Sequence, residues 1–185
     1  CDGPRLLVED VQTALEALGA AARERSPALR VGVTGSVGKT TVKDALGQVF
    51  SAAGAAHWSV KSYNNHWGVP LTLSRLPRAS ERAVFEMGMN HAGEISRLTA
   101  QVRPRIAAIT AIAPAHLENL GSMEGIARAK AEIFEGLEPD GVAILPADTP
   151  YRDILIDGVK SSGAAFLIDF GTAEGAAVRV LALEP

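Results

Sequence analysis

Apolar positions in this chain come as short continuous runs, separated by stretches in which they recur every three or four residues. The runs at 29–34, 56–60, 82–88, 106–112, 141–145 and 165–169 predict strands, and 178–183 is a possible further one. The stretches at 39–53, 69–76, 94–102, 123–136 and 151–162 carry helical spacing and are long enough to cross over between parallel strands. Ahead of the first strand, 6–25 places Leu7, Val8, Val11, Leu15 and Leu18 on one helical face. Runs such as Ile106-Ala107-Ala108-Ile109 do not alternate, which predicts strands buried on both sides. The pattern therefore reads as an α/β protein, a mostly parallel sheet with helices on both faces. No internal repeat interrupts it, and the chain divides into a helix and lead-in at 1–28 and one α/β domain at 29–185.

Charge and composition narrow the function. A formal net charge of −3, with the 18 basic residues scattered, argues against a nucleic-acid surface, so any anion must be bound locally. Cys1 is the single cysteine, which rules out a disulfide framework and fits a reducing cytoplasm. No stretch is long and apolar enough for membrane insertion. The chain starts at Cys1 without an initiating methionine or a signal peptide, and is expected to be a piece of a longer protein.

Candidate chemistry centres on Val31-Gly32-Val33-Thr34-Gly35-Ser36-Val37-Gly38-Lys39-Thr40-Thr41, where a strand runs through a glycine turn into a helix. Glycines let the backbone N–H groups face inward, and the helix adds the positive end of its dipole, so a polyphosphate fits there. Lys39 would neutralise phosphate charge and Thr40 would hold magnesium. The strict P-loop has a glycine where this chain has Val33. The plain alternative is a glycine turn capping a helix beside an exposed lysine. Ligands of open parallel sheets collect beyond the carboxyl ends of the strands, and two more polar residues fall there, Glu86 and His116. A carboxylate between Phe85 and Met87 needs a cation or hydrogen-bond donors, whether magnesium or a neighbour such as Arg82. His116 alone reads equally as a loop or capping residue.

Thr34-Gly35-Ser36-Val37-Gly38-Lys39-Thr40-Thr41 resembles the phosphate loop of the Mur ligases and their folylpolyglutamate synthase relatives. Further blocks follow in order: Asn64-Asn65-His66-Trp67-Gly68-Val69-Pro70, Glu86-Met87-Gly88-Met89-Asn90-His91-Ala92-Gly93-Glu94, Ala115-His116-Leu117-Glu118 and Ala129-Lys130-Ala131-Glu132-Ile133-Phe134. Together they are most similar to the branch that adds D-alanyl-D-alanine to UDP-N-acetylmuramoyl-tripeptide, using ATP and magnesium, in cytoplasmic peptidoglycan precursor synthesis. The resemblance implies a P-loop NTPase-like central domain, truncated at its end, without the uridine-binding N-terminal and the closing C-terminal domains. It implies a monomer, and no ligation by this stretch alone.

By the same resemblance, Thr34 to Thr41 cradle the phosphates, with Lys39 countering charge. Thr40, Glu86, His116 and a carbamylated Lys130 hold magnesium, and Asn64 and Asn65 face the muramyl-peptide. The residues themselves leave alternatives: Lys130 as a solvated helix lysine paired with Glu132 or Glu135, and the two asparagines as an Asx turn. Other classes also stay open at this point. A P-loop kinase or GTPase is disfavoured by Val33 and by the lack of an Asn-Lys-x-Asp motif, and a noncatalytic nucleotide-binding module would need no metal cluster.

Overall fold

The structure, a computed structural model, describes residues 3, 5–115 and 117–182. Seven strands form one sheet: β1 (Leu29–Thr34), β2 (Ala56–Trp58), β3 (Arg82–Glu86), β4 (Ile106–Ile109), β5 (Val142–Pro146), β6 (Phe166–Gly171) and β7 (Val178–Arg179). Every pairing is parallel, and the order across the sheet is β2-β3-β1-β4-β5-β6-β7. The chain fills one side of β1 first and then crosses to the other, so β1, β3 and β4 lie together at the point where the winding reverses. In such sheets the crevice beyond the strand ends at that point is where ligands bind. The tail strand is real but short, and its expected end at Leu183 lies outside the described residues.

The helices are α1 (Val11–Glu24), α2 (Lys39–Ala53), α3 (Gly68–Ser74), α4 (Glu94–Val102), α5 (Leu117–Leu120), α6 (Met123–Ala131) and α7 (Arg152–Ser162). Two expectations about them change. The first helix begins at Val11, not at 6, because Asp10 caps it, its side chain accepting from the Thr13 N–H at 2.6 Å. Its buried residues are Gly19 and Ala22, while Leu7, Val11 and Leu18 are exposed. Small residues let α1 approach α3 closely: a Cβ on Gly19 would stand 3.3 Å from the Pro70 carbonyl oxygen. The second change is at 123–136, which is α6 followed by a 3-10 turn at Glu132–Gly136. There the backbone runs against α4 so tightly that a Cβ on Gly136 would meet the Thr99 carbonyl oxygen at 2.4 Å. Glu132 completes the junction by accepting from the Gly93 and Ser96 N–H groups at 2.7 and 3.1 Å, capping α4.

The expectation of helices on both faces holds over half the sheet. α1, α3, α4, α6, the 3-10 turn and α7 pack against one another on one face, over a core of Leu73, Phe85, Met87, Ile95, Ile109, Ile126, Phe134, Leu145 and Leu155. On the opposite face α2 packs on β1, β2 and β3, where Val42, Leu46, Phe50 and Trp58 meet Val31, Val33 and Val84. Beyond α2 that face is open. Ile106, Ala108, Ile144 and Phe170 line an apolar hollow of about 340 Å³, and Phe166 and Ile168 continue the patch. An apolar run in a strand shows that burial is favourable, but carries no information about which element supplies the cover.

Candidate active site

The turn after β1 is built for close approach. Gly38 caps α2 with φ +80°, a left-handed conformation that costs a side chain energy, and Gly35 has no room for one. A Cβ on Gly35 would sit 1.9 Å from Thr110 Oγ1. Thr110, at the end of β4, ties the loop down: its hydroxyl lies within hydrogen-bond reach of the Thr34 and Val37 carbonyl oxygens. Ser36 adds a second tie, its hydroxyl donating to the Ala113 carbonyl at 2.8 Å and accepting from the Ala113 N–H at 2.9 Å. The Ser36 side chain thus faces the segment after β4, and its contribution to a ligand is through backbone. Lys39 folds back onto the loop and donates to the Gly35 carbonyl at 2.8 Å. Burial lowers its pKa, and the Glu86 carboxylate opposes that shift. Thr41 is exposed and Thr34 fully buried, its hydroxyl without a partner among the described residues.

Glu86 ends β3 opposite Val33 in the register and is 1% exposed. Its compensation is not Arg82, which pairs with Glu81. Thr40 donates to Glu86 Oε2 at 2.9 Å and Asn64 Nδ2 donates to Oε1 at 2.8 Å, so both oxygens are oriented by neutral donors, with the Lys39 ammonium as a nearby positive charge. Ser62 stands 3.0 Å from Thr40 Oγ1, bringing a third oxygen-bearing side chain to this point. The loop carrying Ser62 and Asn64 is held from α2 by Lys43, which is fully buried and donates to the Ser59 carbonyl at 2.8 Å while pairing with Asp44. Ser62, Thr110 and Lys43 had no signature in the sequence, because each acts through a neighbour far along the chain. Asn65 splits from Asn64 in role: its Oδ1 accepts from the Trp67 and Gly68 N–H groups at 3.1 and 2.9 Å, the Asx-turn geometry that starts α3.

Lys130, on α6, is 3% exposed, and its ammonium has no hydrogen bond or ion pair among the described residues. The solvated pairing with Glu132 or Glu135 is excluded, since Glu132 caps α4 and Glu135 accepts from Ser96 Oγ. Burial, and next the positive charge of Lys39, bring the Lys130 pKa down to about 8. Lys39, Asn64, Asn65, Asn90, Glu94 and Lys130 line one cavity of about 250 Å³ at the carboxyl ends of the strands. Thus the fold gathers Gly35, Ser36, Lys39, Thr40, Asn64, Asn65, Glu86 and Lys130 into one crevice. His116, expected as a metal ligand, lies outside the described residues. Among the described residues no group of three or more His, Cys, Asp or Glu side chains could hold a metal ion. The hydroxyl of Thr40 beside the Glu86 carboxylate nevertheless fits magnesium, which takes hard oxygens from one or two protein groups and completes its shell with substrate phosphates and water.

A parallel sheet with a glycine turn and Lys-Thr at its switch point defines a P-loop α/β domain. Residues 33–184 match the family described as the Mur ligase middle domain. The chain belongs to the Mur ligase family. It is 44% identical over 147 residues to UDP-N-acetylmuramoyl-tripeptide--D-alanyl-D-alanine ligase of Escherichia coli (strain K12), covering 80% of this chain and 32% of that protein. It superposes on MurF from Acinetobacter baumannii with a TM-score of 0.84 at 37% identity, over 92% of this chain and 37% of that one. MurF ligase from Thermotoga maritima in complex with ADP gives 0.80 at 29% identity, over 95% and 40% of the two chains. The chain spans about a third of the length of the curated relatives it matches.

Proposed function

We propose that this chain is the ATP-binding part of a ligase that joins D-alanyl-D-alanine to UDP-N-acetylmuramoyl-tripeptide in the cytoplasm, acting as a monomer. The observation that carries the reading is the junction of Thr40, Glu86 and Asn64 at the mouth of the glycine loop, in the same crevice as Lys39 and Lys130. The relatives named for this reaction support the choice of substrates. No helix among the described residues is long and apolar enough to cross a membrane.

In this reading a carboxylate oxygen of the tripeptide attacks the γ-phosphorus of ATP, the bond to the bridging oxygen breaks, and ADP leaves. The amine of D-alanyl-D-alanine then attacks the acyl carbon, the carbon–oxygen bond to phosphate breaks, and the amine gives up a proton. Phosphoryl transfer depends chiefly on positioning and charge neutralisation. The backbone of Gly35 to Thr41 cradles the phosphates, and the Lys39 ammonium exchanges the Gly35 carbonyl for a phosphate oxygen. Thr40 and Glu86 would hold magnesium, with His116 and Lys130 as further ligands; when bound, the ion offsets charge on the phosphate oxygens. Lys130 can join only as an anion, since an ammonium would be repelled. A pKa near 8 leaves about a tenth of it as free amine at pH 7, the form that carbon dioxide converts to a carbamate. Asn64 positions Glu86 and, with Asn65, lines the wall where the muramyl-peptide would lie.

The test is magnesium-dependent phosphate release by the intact natural protein with ATP, UDP-N-acetylmuramoyl-tripeptide and D-alanyl-D-alanine, each omitted in turn. Turnover that requires all three supports the reading, whereas ATP hydrolysis indifferent to both peptides would sink it. Glu86→Gln keeps an oxygen for Asn64 but removes the negative charge. It should lower turnover about a hundredfold or more, in line with losses when a charge-stabilising group is removed from an active site.

A further inference from the structure

Lys43 is a fully buried cation that does not line the cavity shared by Lys39 and Lys130. It stands on α2 three residues after Thr40, on the same side of the helix and one turn further on. Burying an ammonium is costly unless its protons find acceptors. Three acceptors surround this one: the Ser59 carbonyl and Asp44 Oδ1, both at 2.8 Å, and the Lys61 carbonyl at 3.5 Å. The two carbonyls belong to the segment that joins β2 to α3 with no strand or helix of its own. The Lys61 carbonyl is where that segment turns, since it also accepts from the Ser59 hydroxyl and from the Tyr63 N–H, each at 2.7 Å.

Ser62 and Asn64 follow directly after this turn. Ser62 Oγ lies 3.0 Å from Thr40 Oγ1, Asn64 Nδ2 donates to Glu86 Oε1 at 2.8 Å, and the Asn64 carbonyl accepts from the Gly88 N–H at 2.7 Å. α2 therefore grips the segment twice, at Thr40 through Ser62 and at Lys43 through Ser59 and Lys61, and the segment in turn orients Glu86. An apolar side chain of the same length would fill the space at Lys43 but give up these charge-assisted bonds. We propose that Lys43 is a positioning residue for phosphoryl transfer: it fixes the 59–64 backbone, and through Ser62 and Asn64 it holds Thr40 and Glu86 in register to receive a divalent cation. The inference rests on the reading that Thr40 and Glu86 hold magnesium. The effect of Lys43 on Glu86 runs through Asn64, so a chain that lacks the Asn64 side chain has little left for Lys43 to position.

The experiment uses the intact natural protein with Lys43→Met, which keeps the length and removes the donors, and Lys43→Gln, which returns a neutral donor. In the protein free of nucleotide and magnesium, amide hydrogen exchange at Gly88 should quicken about tenfold in Lys43→Met, because the acceptor of that amide sits on the loosened segment. The magnesium concentration for half-maximal phosphate release should rise about tenfold, within the range for loss of a group that orients a metal ligand, while KM for D-alanyl-D-alanine stays unchanged. Lys43→Gln should fall between the two, and it carries the comparison if Lys43→Met does not fold. Asn64→Ala should raise the magnesium requirement by itself, and adding the Lys43 substitution should raise it by no more than about twofold further. A lowered Tm with Gly88 exchange and the magnesium requirement both unchanged makes Lys43 purely structural and overturns the inference. Gly88 exchange that quickens without a change in the magnesium requirement, or additive effects of the Lys43 and Asn64 substitutions, overturns it too. Phosphate release that needs no magnesium in the natural protein overturns the reading of Thr40 and Glu86, and this inference with it.

Discussion

Lys130 shows how a single residue changes meaning between the chain and the fold. Its neighbours along the helix, Glu132 and Glu135, suggest a solvated ion pair, but the fold turns both away and leaves a buried ammonium facing another lysine. The folded pKa of about 8 lies below the unfolded value, so between about pH 8 and 10.5 the unfolded chain holds a proton that the folded one has released. That term destabilises the fold fully below pH 8 and fades as the pH rises through the window. Lys130→Met should therefore stabilise the chain by about 3 kcal/mol at pH 7, and the gain should shrink towards zero above pH 10. Urea unfolding of both forms in bicarbonate-free buffer at the two pH values measures it. A gain that grows with pH would show that the ammonium is compensated in the fold. Gly35, by contrast, stands in the sequence only as part of a glycine turn that turns N–H groups inward, and the structure adds a second reason for it, since Thr110 leaves no room for a side chain.

At the scale of elements, the periodicities located all six main strands and the principal helices, with α2 and α4 at the expected bounds and β2, β3 and β4 ending two or three residues early. Asp10 sets the start of α1 by a local hydrogen bond, and the apolar Leu6, Leu7 and Val8 ahead of it lie exposed outside the helix. The break between α6 and the 3-10 turn was not legible, since it depends on α4 lying against Gly136. Glu132 couples these pieces by capping α4 from 39 and 36 residues away, which also positions the helix carrying Glu94. Glu132→Ala should cost about 1–2 kcal/mol, the range for a lost helix cap, with Glu132→Gln intermediate. Hydrogen exchange at the Gly93 and Ser96 amides reports the loss directly; unchanged protection there would mean that the cap is dispensable.

For the whole molecule, the sheet is covered unequally. Six helical segments bury one face, while on the other α2 stops short and leaves β4, β5 and β6 with an apolar surface, Phe166 at 60% exposure and Ile168 at 36%. Contiguous apolar patches of this kind bind hydrophobic dyes and favour self-association. The 185-residue chain should accordingly enhance the fluorescence of an anilinonaphthalene sulfonate dye, and Ile168→Lys should lower that signal by about half without lowering Tm. A chain that binds no dye would show that the face is closed in solution. The same asymmetry places every helix that touches the crevice, apart from α2, on the packed side, so Lys130 and Glu94 are delivered by rigid elements.

The sequence by itself determined the α/β class, the parallel strands and the phosphate loop that carries Lys39 and Thr40, because strand and helix periods and a glycine turn are written in neighbouring residues. Tertiary structure alone decided what surrounds them. Glu86 is oriented by Asn64, Thr110 ties down the glycine loop, and Lys43 holds the Ser62 loop. Such partnerships depend on the strand order that brings β1, β3 and β4 side by side, and no local pattern encodes which distant residue will fill a given space.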